Sequence, residues 1–440
     1  MQVCSTRDTS IRLSFRDSLI AGLPPGGGLY QPSPPPDLRS EIASLSDQAS
    51  FLEVSTILIS ALFKEEFAAI DRQSATAPGL AQTAFPFAPS LSWLHDDIAL
   101  LELFHGPTHA FKDFGASFLA ALLECFAGDV KSSPIKVLVA TSGDTGSAVA
   151  RAFWRRAGIE VVVLYPSGRI SLLQEQQLTT LGDNIYPLEV KGTFDDCQYM
   201  VKAALADSDL MALTRLCPAN SISLGRLLPQ AFYYIFAGLR LRYRGQPLFC
   251  VPSGNFGNLT AGIYAARWGL PVAGFLAATN LNDVVPRFLE SGEWLPRSSA
   301  VSLSNAMDVG NPSNFERILA HWDRNPSAIR SHLRGLAVSD KEILGTMRCV
   351  YQEDGRLVDP HTAVGIAAAR RFCATDRDRS PVVVLATADA CKFPEIVRRA
   401  TGVKPAIPES LQDLMDKPKQ ATRIEPHYEA LRDFILKKSV

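Results

Sequence analysis

The sequence predicts an α/β protein with parallel-type sheets flanked by helices. From about residue 96 onward, short β-branched runs alternate with helical stretches. The runs IKVLVA (135–140), IEVVVLY (159–165), PLFCV (247–251) and PVVVLA (381–386) are apolar except for Lys136 and Glu160, the pattern of strands buried on both faces. Each runs into a polar loop: TSGDTG, PSGR, PSGNFGN and TADACKF. Helical stretches follow the first and third of these loops, through Arg155 and over LTAGIYAARWG (259–269). In such sheets the loops at the carboxyl ends of the strands form the ligand site.

The chain has 440 residues, more than one core usually organises, so two or three domains are expected. Residues 5–38 are turn-rich, and PPGGG (24–28) reads as loop. Ser40 to Arg72 is more helical, with FLEVSTILISALFKEEF (51–67) carrying apolar residues at three- and four-residue spacing. ATAPGLAQTAFPFAP (75–89) reads as a connector, and Ile407 to Val440 as a polar tail with one amphipathic helix at Tyr428 to Leu436. The expected division is an N-terminal domain over 1–92, a large domain over 93–135 and 230–405, a small mobile domain over 136–229, and a C-terminal tail over 406–440.

A hydrophobic content of 47% suits a packed globular protein, and a formal net charge of −1 with no basic block gives nucleic-acid or membrane-surface binding no electrostatic support. No apolar run approaches the ~20 residues of a membrane span, and no signal peptide is visible at the start. The 8 cysteines lie far apart without a CxxC pair, so reduced thiols in a cytoplasmic protein are expected. No metal site is expected, because the histidines show no ligand spacing. His105 and His361 read as supporting groups behind the site, and His109 as a surface residue.

The stretch LFHGPTHAFKDFGASFL (103–119) organises the chain. Gly106 and Pro107 force a turn, and Phe114 to Phe126 is apolar enough for a buried helix. Lys112 therefore sits at a loop-to-helix junction between apolar neighbours. It is either a side chain reaching solvent or an amine held at a site, where desolvation would make it a nucleophile. SGNFGN (253–258) follows a strand and precedes a helix, as an anion cradle does. It fits neither the dinucleotide nor the P-loop pattern. TSGDTG (141–146) is a similar loop, in which Asp144 or Thr145 is either a helix cap or part of a ligand site. Thr387 ends another strand, as a cap or as a hydroxyl presented to a ligand. A junction amine, an anion cradle, a second polar loop and a strand-end hydroxyl together suit a cofactor with an aldehyde, a phosphate and a ring nitrogen.

These stretches carry a resemblance. FHGPTHAFKDFG (104–115), ATSGDTGSA (140–148), GTFDDCQ (192–198), VPSGNFGN (251–258), AATNLNDVVPRF (277–288), SNAMDVGNPSNFER (304–317), DPHTAVG (359–365) and LATADACKFPE (385–395) resemble, in order, the threonine synthases of the longer bacterial and fungal branch. The resemblance implies a fold-type II pyridoxal-phosphate enzyme, similar to the tryptophan synthase β subunit, with an N-terminal extension domain. It implies the conversion of O-phospho-L-homoserine and water to L-threonine and phosphate. It implies that Lys112 carries the cofactor as an internal aldimine, that Gly254, Asn255, Phe256, Gly257 and Asn258 hold its phosphate, and that Thr387 faces its ring nitrogen. Ser142, Gly143, Asp144 and Thr145 would bind the substrate carboxylate, and Arg169 would keep a positive charge near its phosphate. A small-molecule substrate, no nucleic-acid or membrane partner, and a monomer or weak dimer are expected.

Three positions depart from the family pattern. Ser167 stands where a basic residue is usual, Ser223 where Asn is usual, and Asp389 where His is usual. The first two lie in segments associated with the substrate's phosphate, where a lost charge-assisted hydrogen bond would weaken binding by ~1.5–3 kcal/mol. The alternatives are therefore a lyase of the same build with an altered substrate, or a copy insensitive to inhibitors that mimic phosphate. A dehydratase releasing a 2-oxo acid and a cofactor-binding regulatory protein without turnover are further readings.

Overall fold

The computed structural model describes residues 1–68, 76–126, 134–375 and 380–437. The chain opens with an antiparallel three-stranded sheet, β1 (Gln2–Ser5), β2 (Arg12–Ser14) and β3 (Tyr30–Pro32), in which Val3 pairs with Leu13 on one side and Pro32 on the other. The turn-rich reading of 5–38 missed this sheet. Its strands are three or four residues long, and pairing across intervening turns leaves little periodicity in the sequence.

The helix Phe51–Leu62 follows, started by a capping box between Ser50 and Glu53. From Phe51 the expected helical stretch to Arg72 is helical as far as Ala68 except for a break at Phe63, and its remainder lies outside the described residues. The segment read as a connector holds a helix, Ala77–Ala84. Pro78 belongs in its first turn, where a missing N–H costs nothing, and Thr76 caps it by accepting from Gly79 N at 3.2 Å.

Strands β4 (Ser90–Trp93) and β5 (Ala99–Glu102) begin a second sheet. The chain then leaves it to build a parallel array from β6 (Ile135–Ala140), β7 (Ile159–Pro166), β8 (Ile185–Val190) and β9 (Arg215–Pro218). It returns with β10 (Leu248–Pro252), β11 (Gly274–Thr279), β12 (Leu333–Ala337) and β13 (Val382–Ala386). The second sheet has the order β12-β11-β10-β13-β5-β4, parallel except for β4. The third is completed by β14 (Thr422–Ile424), in the order β14-β8-β7-β6-β9. The C-terminal segment thus adds a strand as well as the expected helix, here Tyr428–Lys437, which packs Leu431 and Ile435 into the core of the third sheet.

The order β10-β13-β5 decides where chemistry can occur. These strands are parallel neighbours, with Cys250 beside Val384 and Ala386 beside Glu102. Their carboxyl ends therefore deliver the loops at 253–258, 387–392 and 103–111 to one edge, where the strand order reverses. The helix Lys112–Phe126 is buried along nearly its whole length. Phe114 meets Phe51 at 5.4 Å and Phe118 stacks on Phe85 at 6.0 Å, so the N-terminal segment clamps the helix that begins with Lys112.

Candidate active site

Lys112 is the first residue of its helix, with its amine 5.0 Å from the Phe111 ring centroid and 3.3 Å from Asp144 Oδ2. Burial drives this amine below its ordinary range. Asp144 pulls it back up, and the cations of Lys392 and Arg226 push it down again.

Asp144 comes from the loop after β6. Its helix, Asp144–Phe153, has Gly143 at the cap position and no side-chain cap, so neither Asp144 nor Thr145 serves as the cap. Gly143 takes φ 137°, open to glycine, and a Cβ there would meet the Gln174 side chain at 2.4 Å. The Asp144 carboxylate is thereby free to turn inward. Its Oδ1 accepts from Lys392 at 2.7 Å and from Gln174 Nε2 at 2.9 Å. Burial raises this carboxyl, but Lys392 and Lys112 outweigh burial and hold it well below its usual range. Ser142 is exposed and Thr145 half-buried on the same loop.

Thr387 is buried at the end of β13. Its carbonyl accepts from Phe111 N at 2.8 Å and its N–H donates to Thr362 Oγ1 at 3.2 Å, fixing it beside the Lys112 turn. Asp389 caps the short turn Ala390–Lys392 by accepting from Cys391 N at 2.7 Å, and its other oxygen lies 3.8 Å from His109 Nδ1. His109 is not a surface residue: its side chain is 17% exposed and Nε2 lies 3.2 Å from Ser410 Oγ. His361 is buried, paired with Asp359 at 2.8 Å, whereas His105 is largely open to solvent beside Glu102. A cavity of about 380 Å³ opens at this edge between Phe104, Thr362, Ala388 and Asp389.

The glycine loop is tied to Lys112 through aromatic rings. Phe114 meets Tyr233 at 5.3 Å, and the Tyr233 hydroxyl donates to Asn258 Oδ1 at 2.7 Å. Phe256 sits in the left-handed region at φ 59°, a strained place for a bulky residue, immediately before the helix Gly257–Arg267. First-turn N–H groups have no acceptor within a helix and favour an anion. Around them lie buried polar atoms with no hydrogen-bond partner among the described residues: Ser223 Oγ, Arg226 Nε, Asn258 Nδ2 and Asn314 Nδ2. Three of the four can only donate, and the fourth is a hydroxyl. The amide of Asn314 is oriented by chemistry, since its oxygen accepts from Arg317 Nη1 at 2.6 Å and an arginine never accepts. No carboxylate pairs with Arg226 or Arg317 among the described residues, and burial lowers both guanidinium groups to about 10. A buried set of donors and cations with so few acceptors suits a phosphate-bearing ligand.

Arg169 lies exposed on the turn after β7, close enough to lower the Asp196 carboxyl, and is not among the groups gathered at Lys112. Ser167 donates to Glu189 Oε1 at 2.6 Å. Lys392, Gln174, Arg226, Asn314 and Arg317 were not singled out from the sequence. The available signal was a charged residue framed by apolar ones, as in CKF at 391–393 and FERIL at 315–319.

Comparisons with known proteins agree with this geometry. A family model described as "Pyridoxal-phosphate dependent enzyme" matches residues 78–388, one for the threonine synthase N terminus matches 2–76, and one for the threonine synthase C-terminal region matches 362–435. The threonine synthase of Serratia marcescens is 39% identical over 99% of each chain. The crystal structure of the PLP-bound threonine synthase from Brucella melitensis superposes with a TM-score of 0.90 at 33% identity, covering 100% of this chain and 99% of that one. The Escherichia coli threonine synthase structure gives 0.87 at 37% identity, with 100% of both chains covered.

Proposed function

The chain belongs to the threonine synthases, within the pyridoxal-phosphate-dependent enzymes, and from that premise we propose that it converts O-phospho-L-homoserine and water to L-threonine and phosphate. The observation that carries the reading is the Lys112 amine, buried and lowered, at the edge where the three strand ends meet. Lys112 would hold the cofactor's aldehyde carbon. Gly254 to Asn258, with Asn258 and Asn314 amides turned toward the helix start, would hold its phosphate, and Thr387 would face its ring nitrogen. Bound there, pyridoxal phosphate supplies an electron-withdrawing ring that spreads the negative charge left at the substrate α-carbon.

The protein's own groups do the rest. The backbone and hydroxyl donors of Ser142, Gly143, Asp144 and Thr145 would orient the substrate carboxylate. The Lys112 amine, its pKa lowered by burial, takes the Cα proton. The reaction also removes a Cβ proton, breaks the Cγ–O bond to phosphate, returns a proton to Cγ, adds the hydroxyl of water at Cβ and returns a proton to Cα. An amine whose pKa burial has lowered can serve more than one of these transfers. Ser223 and Arg226 would face the substrate phosphate, and Arg169, exposed on its turn, would reach it only as the unit over 136–229 closes. The unit over 136–229 would close over the substrate and exclude bulk water, with Asp144 meeting Lys112 and Lys392 across the gap. No helix among the described residues is long and apolar enough to cross a membrane. Placement in the cytoplasm and a monomer or weak dimer are our reading of location and assembly.

The test is a coupled assay of phosphate release from O-phospho-L-homoserine with chromatography of the product. Threonine in step with phosphate is the expected result, abolished in Lys112→Ala. A 2-oxo acid in place of threonine, or no phosphate release from protein that shows the bound cofactor's absorbance, would reject the assignment.

A further inference from the structure

Lys392 is the most deeply buried cation beside the site. Its side chain is 0% exposed, and a lysine is almost never buried so fully unless paired. It donates to two groups, Asp144 Oδ1 at 2.7 Å and the carbonyl of Thr108 at 2.9 Å. Thr108 lies in the loop that leads into Lys112, while Asp144 follows β6 of the other parallel sheet. Lys392 itself follows β13. One ammonium group therefore joins the three loops that surround the reactive amine.

The charges at this point do not balance in pairs. One carboxylate, Asp144, faces two ammonium groups, with Lys392 nearer at 2.7 Å and Lys112 at 3.3 Å. Gln174 adds a third donor to this carboxylate, at Oδ1, the oxygen that Lys392 uses, so Oδ2 alone is left to Lys112. Arg226 adds a further positive charge to the surroundings of Lys112. Of the other nearby acids, Asp113 is turned to Thr108, accepting from its N–H at 2.9 Å and its hydroxyl at 2.6 Å, and Asp389 is turned to His109. A buried site in which a single carboxylate meets both ammonium groups cannot keep both charged cheaply, and the group that gives up its proton is the one with the weaker claim on that anion.

We propose that Lys392 is a positioning residue for the reaction: it takes Asp144 as its own counter-ion and ties it to the Thr108 loop, leaving Lys112 as the uncharged amine. Its effect is exerted through Asp144, not by contact with substrate. The proposal rests on the reading of Lys112 as the reactive amine, and its test is independent of cofactor or turnover.

Cyanate carbamylates only uncharged amines, so its rate at Lys112 against pH, followed by peptide mass spectrometry of the full-length chain freed of small molecules, reads the protonation of that amine. Solvent-exposed Lys202 serves as the internal reference. In the unaltered protein Lys112 should react at a pH well below that of the reference. Lys392→Met should move the Lys112 profile up by about one pH unit or more, a roughly tenfold slower reaction near neutrality. Lys392→Arg should move it much less. Adding Asp144→Asn to Lys392→Met removes both charges and should bring the profile back toward that of the unaltered protein. Should Lys392→Met fail to fold, Asp144→Asn alone against Asp144→Asn/Lys392→Met asks the same question, and the single variant should titrate lower. Superimposable profiles in either comparison, or no reversal in the double variant, would overturn the proposal. Failure to take up pyridoxal phosphate at Lys112 would instead reject the proposed function and leave these profiles unaffected.

Discussion

Replacing Arg317 by Met should destabilise the protein and loosen its grip on a phosphate at the same time. The guanidinium is buried and donates in three directions: to the Tyr30 carbonyl at 2.8 Å, the Asn314 side-chain oxygen at 2.6 Å and the Ile222 carbonyl at 2.6 Å. It thereby joins β3 of the N-terminal sheet, the loop before Ser223 and the amide that faces the glycine loop. Methionine fills much of the same volume but leaves three buried acceptors without donors. At about 1 kcal/mol for each orphaned acceptor the loss is roughly 3 kcal/mol, and relief of the guanidinium's own burial returns part of it, so a net of about 2 kcal/mol is expected. For a cooperative unit of 150–250 residues this lowers the melting temperature by about 4–8 °C. Arg317→Lys keeps the charge, but a compact ammonium cannot span three acceptors splayed this way, so it should recover less than half of the loss. Freed of Arg317, the Asn314 amide can rotate, and affinity for pyridoxal phosphate should fall while affinity for unphosphorylated pyridoxal stays nearly constant. Calorimetry and absorbance titration with both compounds check this. A melting temperature within about 1 °C of the parent, or equal losses for the two compounds, would refute the reasoning.

Asp113 gives a pH test. Burial raises its carboxyl from 3.8 to about 6, against the opposing hydrogen bonds from Thr108. The folded state then binds more protons than the unfolded state between these two values, so stability is lost as pH rises through the window, by about 3 kcal/mol in all. Asp113→Asn should flatten the pH 4–7 dependence of the melting temperature, and a profile parallel to the parent's would count against the assignment. Gly254→Ala places a Cβ 2.7 Å from Met307 Cα and 3.0 Å from the Ala306 carbonyl, backbone that can yield only by moving the loop. Affinity for pyridoxal phosphate should fall at least tenfold, about 1.4 kcal/mol, with an unchanged far-ultraviolet dichroism spectrum, and a smaller fall would mean that the loop gives way freely. Ser223→Asn should lower KM for O-phospho-L-homoserine several-fold at constant kcat, since an added amide donor acts on ground state and transition state alike. An unchanged KM would show that position 223 does not meet the substrate phosphate.

The four largely apolar runs emerge as β6, β7, β10 and β13 because a strand buried on both faces is apolar at nearly every position, the exceptions Lys136 and Glu160 lying side by side on β6 and β7 as an ion pair. The helix at Lys112 was legible for the same reason. What escaped the sequence depends on partners distant along the chain. β3 is held by β1 across the loop that contains PPGGG, and β14 lies against β8 more than two hundred residues before it. Neither has enough length to show a period. At the site, Lys112, Asp144 and Thr387 were visible as residues at strand and helix ends. Lys392 and Arg317 were not, because what sets them apart is that they are buried, and the apolar flanks in CKF and FERIL are too common a pattern to mark a single charged residue as buried. The sequence also suggested a cap for Asp144, where glycine at 143 and the pull of two lysines turn the carboxylate inward instead.

The three departures from the family pattern do not bear equally on specificity. Ser167 is engaged: its hydroxyl serves Glu189, which Lys419 and Arg423 also reach at 3.0 and 3.2 Å, so the negative charge at that spot already has two cations from the C-terminal segment. Adding a third by Ser167→Arg competes for a carboxylate already held down at about 2. Asp389 is likewise engaged, as the cap of its turn and as the neighbour of His109, and its charge is spent locally. Ser223 differs. Its side chain is buried, its hydroxyl has no partner among the described residues, and it stands one helical turn before the buried Arg226 in a set of donors that an anion would satisfy. A polar atom buried without a partner costs free energy in the protein as it stands, and that cost is recovered when a ligand supplies the acceptor. A hydroxyl there gives one donor on a short arm where an amide would give two on a longer one. Any shift in preferred leaving group should therefore trace to position 223 before either of the others, and a Ser167→Arg/Asp389→His variant should keep the substrate preference of the parent.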